Sequence, residues 1–455
     1  MSVAGALTLR GPQGGLRPTV RFAFALVLTL GYVAFAIWFS EPWRRDLEAA
    51  LGPVLAWVIP TLIGFLPALV IGFLSFTLLL TRYRPLALSP PDGAWPAGEW
   101  PAVTVLVAAW NEEETVAATI ERIAALDYSG PVRVVLADNN STDRTAELAQ
   151  AAAERHGLDY RRVFEPLPGK YRALNRALEG VDTPFVVTLD ADTLLQRDAL
   201  AYIVTRIGSR PQGQHVAACA GALVAENPTS NFLTRMQSWD YRLGINGVKG
   251  MQSSYNSALV AEGAFSAYCV EDVRAVGGWP DAIGEDIVLT WGLMSDRGVV
   301  LYEPVALGFT TLPTRLDHFL RQRSRWARGM FEGIKVKPPA SQPRFLTKFV
   351  AGIDYLIPLL DFGYIFFWVP GVILFFLGYP LIFSWWSMLV IPVTVLLFDC
   401  MRRWQERHVF RLLDVHPERD VRGFLGYLFA YQVLTSAASL RGYGEHLRGA
   451  GRRWR

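Results

Sequence analysis

Cysteine is scarce in this chain, charge is sparse, and the glycine signatures of common nucleotide sites do not occur. Its 455 residues include three cysteines, Cys219, Cys269 and Cys400, scattered and in no motif spacing. The sequence therefore suggests neither a disulfide framework nor a zinc motif. Charged residues make up 19% and the formal net charge is +3, which argues against a nucleic-acid partner; the basic residues gather beside apolar runs instead of on one soluble face. No G-x-G-x-x-G and no P-loop pattern occurs, so a Rossmann cofactor or a P-loop reading has little support. What is abundant is apolar. Hydrophobic residues at 51% with 15 Trp and a mean hydropathy of +0.23 point to an integral membrane protein.

The first uncharged run, 22–39, follows Arg10, Arg17 and Arg21. It has the leader of a signal peptide, but its length and the lack of a small-residue cleavage site before Glu41 favour a retained span. A second run, 54–80, contains Pro60 and Pro67, which a packed membrane helix tolerates. Basic residues before the first run and after the second (Arg82, Arg84) put both outer ends in the cytoplasm, although Arg44 and Arg45 between them weaken that rule. A Pro/Gly-rich linker, 89–101, then marks a domain boundary. The expected organisation is a membrane region 1–88, the linker, a soluble domain 102–335 and a second membrane region 336–455. In that last region 355–377 and 381–398 read as spans. Asp354 and Asp361 share one face of the first, either as the wall of a polymer channel or paired with an arginine. The basic segment 402–422 belongs in the cytoplasm. Segment 424–440 is borderline: a crossing would put the basic tail outside, and a re-entrant path would keep it inside.

Between the membrane regions the pattern changes to alternating strands (103–109, 132–137, 185–189) and helices (112–126, 142–156). That order predicts an α/β fold with a mostly parallel, doubly wound sheet that binds ligands at the carboxyl ends of its strands. Those ends carry Asn111 and Glu112, Asp138 and Asn139, and Asp190 and Asp192. Any one could be a helix cap, but three acid-bearing ends in one sheet are harder to attribute to capping. Alternation in an extended segment would turn Asp190 and Asp192 to one side, as hard oxygen ligands for Mg²⁺ or Mn²⁺. Glu285 and Asp286 open a helical run, where an acid either complements the helix dipole or serves as a general base. Gln322, Arg323, Arg325 and Trp326 fall on a basic, aromatic helix. They could clamp a diphosphate and stack a sugar, or the helix could lie on the membrane with Arg321, Arg323, Arg325 and Arg328 at headgroup level.

The ordered series W-N-E-E (Trp110 to Glu113), A-D-N-N-S (Ala137 to Ser141), G-K (Gly169, Lys170), D-A-D (Asp190 to Asp192), G-E-D (Gly284 to Asp286) and Q-R-S-R-W (Gln322 to Trp326) resembles family 2 glycosyltransferases. More narrowly it is similar to the membrane-embedded processive synthases of poly-N-acetylglucosamine, hyaluronan, chitin and cellulose. The resemblance implies a GT-A nucleotide-diphospho-sugar transferase fold inserted between transmembrane helices, with the catalytic domain in the cytoplasm of a bacterial-type inner or plasma membrane. It also implies a UDP-sugar donor, UDP-N-acetylglucosamine ahead of UDP-glucose, and a glycan or lipid-linked acceptor. Asp286, with Glu285, would be the catalytic acid pair. Asn111, Glu112, Asp138, Asn139, Lys170, Asp190, Gln322, Arg323, Arg325 and Trp326 would bind substrate, and Asp190 and Asp192 would hold Mg²⁺ or Mn²⁺. Membrane lipids, coupled export and a small membrane accessory subunit fit the same resemblance, and a non-processive transferase acting on a lipid acceptor is the alternative. The chain departs from the family pattern at Asn139, where a second acid is usual, and at Ala109, where proline is common.

Overall fold

The computed structural model describes residues 16–83, 86–88, 90, 99–384, 390–417 and 420–449. Arg10, Arg84, most of the linker 89–101, part of the expected span 381–398 and the end of the basic tail lie outside them. The three expected strands are present as β1 (Val103–Ala109), β2 (Val132–Asp138) and β4 (Phe185–Asp190), joined by β3 (Asp159–Phe164), β5 (Thr193–Leu195), β6 (Val216–Ala225), β7 (Phe265–Cys269) and β8 (Val299–Thr310). They form one sheet in the order β3-β2-β1-β4-β7-β6-β8-β5. From β3 to β4 every pairing is parallel. Beyond β4 the sheet is mixed, since β7 runs antiparallel to both β4 and β6, and β5 to β8. This second half gave no alternation to read: β6 is VAACAGALVA, small residues buried along most of its length, and β8 carries Glu303 and Pro304 inside a buried run.

The two faces of the sheet nucleate two cores. Val103, Val105 and Val107 turn to one face and meet Ile120, Ala149 and Ile203, whereas Leu106 turns to the other, as the two-residue period of a strand requires. That second face packs Leu174, Trp279 and Trp291 together with Phe22, Phe73 and Leu78 from the apolar N-terminal helices. Phe349 lies 4.8 Å from Phe22 and 5.2 Å from Phe73, ring to ring. The sheet and the apolar N-terminal helices thus share one continuous core. Each large apolar side chain fully buried there contributes about 1.5–3 kcal/mol.

Among the described residues three helices are long and apolar enough to cross a membrane, Pro18–Phe39, Pro53–Leu80 and Phe345–Phe376. They cover the first three expected spans. Of the expected span 381–398, residues 385–389 lie outside the described residues; 390–398 belong to the helix Val390–Gln405, which runs past Arg402 and Arg403, whose charges meet Asp399 and Glu406. The borderline segment is helical from 421 to 447. Its side chains account for Asp361, which is buried and accepts hydrogen bonds from Ser436 Oγ and Tyr443 Oη, both at 2.7 Å. Among the described residues Asp361 is therefore held by hydroxyl groups and is paired with no arginine. Arg44, which weakened the topology rule, is neutralised locally by Glu41 and Glu48 and lies over Trp57.

Candidate active site

The loops after β1 and β2 hold each other. Asn111 adopts φ +56°, a left-handed conformation in which asparagine is among the few side chains tolerated. From there its Oδ1 accepts the Thr142 N–H at 2.8 Å while its own N–H donates to Ser141 Oγ at 3.1 Å. Glu112 N–H donates to Thr145 Oγ1 at 2.7 Å, and Glu113 exchanges bonds with Asp143 and the Arg144 N–H. Asn111, expected to touch substrate, is thus engaged in building the rim. Asp138 is fully buried, and its carboxylate accepts from the Ser141 N–H at 2.9 Å and from Arg162 Nε at 2.9 Å and Nη2 at 2.5 Å. It presents Arg162, on the unanticipated strand β3, rather than its own oxygens. Asn139 spans the next loop: Nδ2 donates to the Leu167 carbonyl at 2.7 Å, and Oδ1 accepts from the Gly169 N–H at 2.8 Å. That clamp needs a donor and an acceptor on one side chain, which aspartate does not provide.

The loop held by Asn139 launches the helix Lys170–Glu179, and Lys170 Nζ pairs with Asp190 Oδ1. Burial alone would lower the lysine's pKa, but Asp190 and Glu285 outweigh it and keep the ammonium charged. Asp190 ends β4 and Asp192 sits in the turn before β5. The two carboxylates are therefore placed by a strand end followed by a tight turn, not by strand alternation. Burial, then the charges of Asp190 and Glu112, push the Asp192 carboxyl up to about 7. Burial and Asp190 also raise Glu112. Asp190 and Asp192, with Glu112 near enough for its charge to be felt and Lys170 paired with Asp190, offer oxygen donors at this strand end. Such a set fits a hard divalent cation.

Glu285 and Asp286 open the helix Glu285–Asp296. Glu285 is buried, and burial together with Asp286 raises its carboxyl to about 8 against the opposing charges of Lys170 and Arg325. Asp286 Oδ2 accepts from the Gly263 N–H at 3.4 Å. Gly263 itself lies against Lys170 Nζ, and its neighbour Glu262 pairs with the buried Lys249. One short segment therefore links the base candidate to the acids of β4.

The helix Leu316–Val336 closes the site. Gln322, Arg325, Trp326, Gly329 and Gly333 recur at helical spacing on one stripe, and that stripe faces the G-E-D turn. A Cβ on Gly329 would stand 2.9 Å from Gly284 Cα, and one on Gly333 2.7 Å from Ile287 Cγ2. Glu332 Oε2 also takes the Ile283 N–H at 2.7 Å. Arg325 and Trp326 are exposed on this face, and Gln322 Oε1 is buried without a hydrogen-bond partner among the described residues. Arg323 points elsewhere. It is buried, pairs with Asp240 at 3.2 Å and lies 4.1 Å from the Trp326 ring and 5.3 Å from the Phe319 ring. Expected as a diphosphate ligand, it instead anchors the helix. Arg328 is buried as well, so the four arginines do not form a membrane-facing row. The opposite side of the helix packs on helix 421–447, with Gly442 against the Ser324 carbonyl. The Gly284–Gly329 contact, Arg162 and the Lys249–Glu262 pair escaped sequence reading; the only local signal was a glycine seven residues after Gln322 on the same stripe.

A model of the family described as "Glycosyltransferase like family 2" matches residues 101–329. An N-acetylglucosaminyltransferase of Mesorhizobium japonicum is 29% identical over 289 residues, covering 59% of this chain and 67% of that protein. A poly-beta-1,6-N-acetyl-D-glucosamine synthase of Staphylococcus aureus is 30% identical over 235 residues, 51% of this chain and 56% of the synthase. The chain thus spans between about half and two thirds of the length of these relatives. Among solved structures, a mannosyltransferase from Pyrobaculum calidifontis in complex with GDP-Man and Mn²⁺ aligns over 90% of this chain and 100% of its own at 19% identity and a TM-score of 0.58. At that identity the likeness speaks for the fold.

Proposed function

Because the chain belongs to glycosyltransferase family 2, we propose that it is an integral membrane, inverting enzyme that transfers a sugar from a UDP-sugar, UDP-N-acetylglucosamine first, to a growing β-linked polysaccharide. Its catalytic domain, 102–335, works on the cytoplasmic side, and synthesis is coupled to export through the flanking membrane helices. The observation that carries this reading is the stripe of the helix Leu316–Val336 seated backbone to backbone on the G-E-D turn, which brings Arg325 into the field of Glu285. Both relatives named above are described by N-acetylglucosamine chemistry, which supports that donor.

Asp286 takes the proton from the acceptor hydroxyl, whose oxygen attacks the anomeric carbon from the face opposite the leaving UDP. Negative charge then builds on the diphosphate, where Arg325 stabilises it. Asp190 and Asp192, with Glu112 beside them, would hold Mg²⁺ or Mn²⁺, which supplies charge neutralisation to the diphosphate when bound. Trp326 offers a face for the acceptor sugar. Asn111, Asn139 and Asp138 shape the donor pocket, the last through Arg162. Arg323 and Asp240 keep the helix in register.

The test is UDP release by full-length protein in proteoliposomes, screened across UDP-sugars. Asp286→Asn should lower turnover by about two to four orders of magnitude while leaving UDP binding near wild type. Near-native turnover in that variant would remove Asp286 from the role of base. Product size separates processive synthesis, a polymer ladder, from transfer of a single sugar to a lipid.

A further inference from the structure

Three side chains of different chemistry meet at the end of the sheet remote from the clustered acids. His215 immediately precedes β6, Cys269 is the last residue of β7, and Asp272 lies in the first turn of the helix Val270–Ala275. A ring nitrogen of the histidine, the thiol sulfur and a carboxylate oxygen all lie within 4.8 Å of one another. Their backbones are fixed by the sheet. The His215 carbonyl accepts the Val299 N–H at 2.9 Å, Cys269 stands opposite Phe185 in the β4–β7 ladder, and Val270 N–H donates to the Pro184 carbonyl at 3.0 Å. His215 is exposed, Cys269 partly so and Asp272 buried, so the cluster opens to solvent through the histidine.

We propose that His215, Cys269 and Asp272 form a transition-metal site that takes Zn²⁺ in preference to Mg²⁺ or Mn²⁺ and ties the start of β6 to the end of β7. The donors are a nitrogen, a sulfur and an oxygen, the mixture that selects zinc over the hard cations suited to Asp190 and Asp192. The two places are distinct: Cys269 is in register with Phe185, five residues along β4 from Asp190, roughly 17 Å at the rise of a strand. Three protein ligands leave a fourth position for water. Without metal, Cys269 Sγ donates to the Val216 carbonyl at 3.4 Å and His215 Nε2 shares a hydrogen bond with Asp272. Burial, then the Asp272 carboxylate, hold the thiol protonated. Binding reverses that preference: the S–H proton leaves to solvent as the sulfur–zinc bond forms, with no change of oxidation state. The three residues come from separate elements, which is why cysteine spacing in the chain carried no zinc signal.

The inference is independent of the proposed glycosyl transfer. Full-length protein in detergent is stripped with a chelator, dialysed, and titrated with Zn²⁺ against a chromophoric chelator in excess Mg²⁺; a parallel titration with Co²⁺ follows the thiolate-to-metal absorption band. One tight equivalent of zinc and a thiolate band are expected in the wild type. Both should be lost in Cys269→Ser and in His215→Ala, and kept in Cys400→Ser. His215 is exposed, so its variant reports on binding even if Cys269→Ser folds poorly. Absence of a tight equivalent in the wild type, or the same equivalent and band in His215→Ala, would overturn the site.

Discussion

Gly329→Ala is the sharpest perturbation of the site, because it adds one methyl group where two backbones touch. The added Cβ would stand 2.9 Å from Gly284 Cα and 3.1 Å from Gly284 N, whereas carbons settle at about 3.5–4.0 Å. Neither atom is the end of a flexible side chain, so the helix and the turn must separate by about 0.6–1.1 Å. That turn carries Glu285 and Asp286, and the helix carries Gln322, Arg325 and Trp326. Overpacking of this kind costs about 1–3 kcal/mol of stability, while a misplacement near 1 Å costs about 10²-fold in rate. Turnover should therefore fall about ten- to a hundredfold in the UDP-release assay, with the melting temperature only modestly lowered. Gly292→Ala, in the helix that follows the G-E-D turn, is the control. A Cβ there meets nothing within 4 Å, and its turnover should stay within a few-fold of wild type. If Gly329→Ala keeps wild-type turnover, or if Gly292→Ala is equally impaired, close approach at Gly284 is not what aligns the site.

Two further outcomes follow from the rim and from the buried acid. Asn139→Asp keeps the acceptor for the Gly169 N–H but sets a carboxylate against the Leu167 carbonyl, now 2.7 Å from Nδ2. Losing that bond costs about 1–3 kcal/mol, so kcat/KM for the donor should drop about five- to a hundredfold through the displaced Lys170; unchanged kinetics would show that the loop is held by other means. For Glu285, raised from 4.5 to about 8 by burial and by Asp286, the folded protein holds the proton more tightly than the unfolded chain. Its contribution is fully present below about pH 4.5 and is lost as pH rises through about 8. Melting temperature should fall across that window in the metal-free wild type and fall less in Glu285→Gln, and parallel curves for the two proteins would contradict the raised carboxyl.

Local chemistry was enough to read the carboxyl-end acids, since β1, β2 and β4 are short apolar runs and each ends in polar residues, a pattern that depends only on neighbours in the chain. It was also enough for three helices of membrane length, because uncharged runs of that length have few other uses. Where two distant segments share a hydrogen bond or a close approach, the sequence is silent. Asn139 looked like a lost acid, but in the fold it is a clamp requiring both halves of an amide. Arg323 and Arg325 stand two apart in the chain; helical geometry sends one into an aromatic enclosure with Asp240 and the other onto the face of Gly329. Strands β6 and β8 carry no alternation because both of their faces are buried, and that burial exists only once the sheet and its helices have assembled. The chain thus determined by itself which residues carry charge and which runs are apolar. Packing decided which of those charges meet, because a side chain's partner is set by distance in space, and the contact that brings Leu316–Val336 onto Gly284 joins positions 45 residues apart.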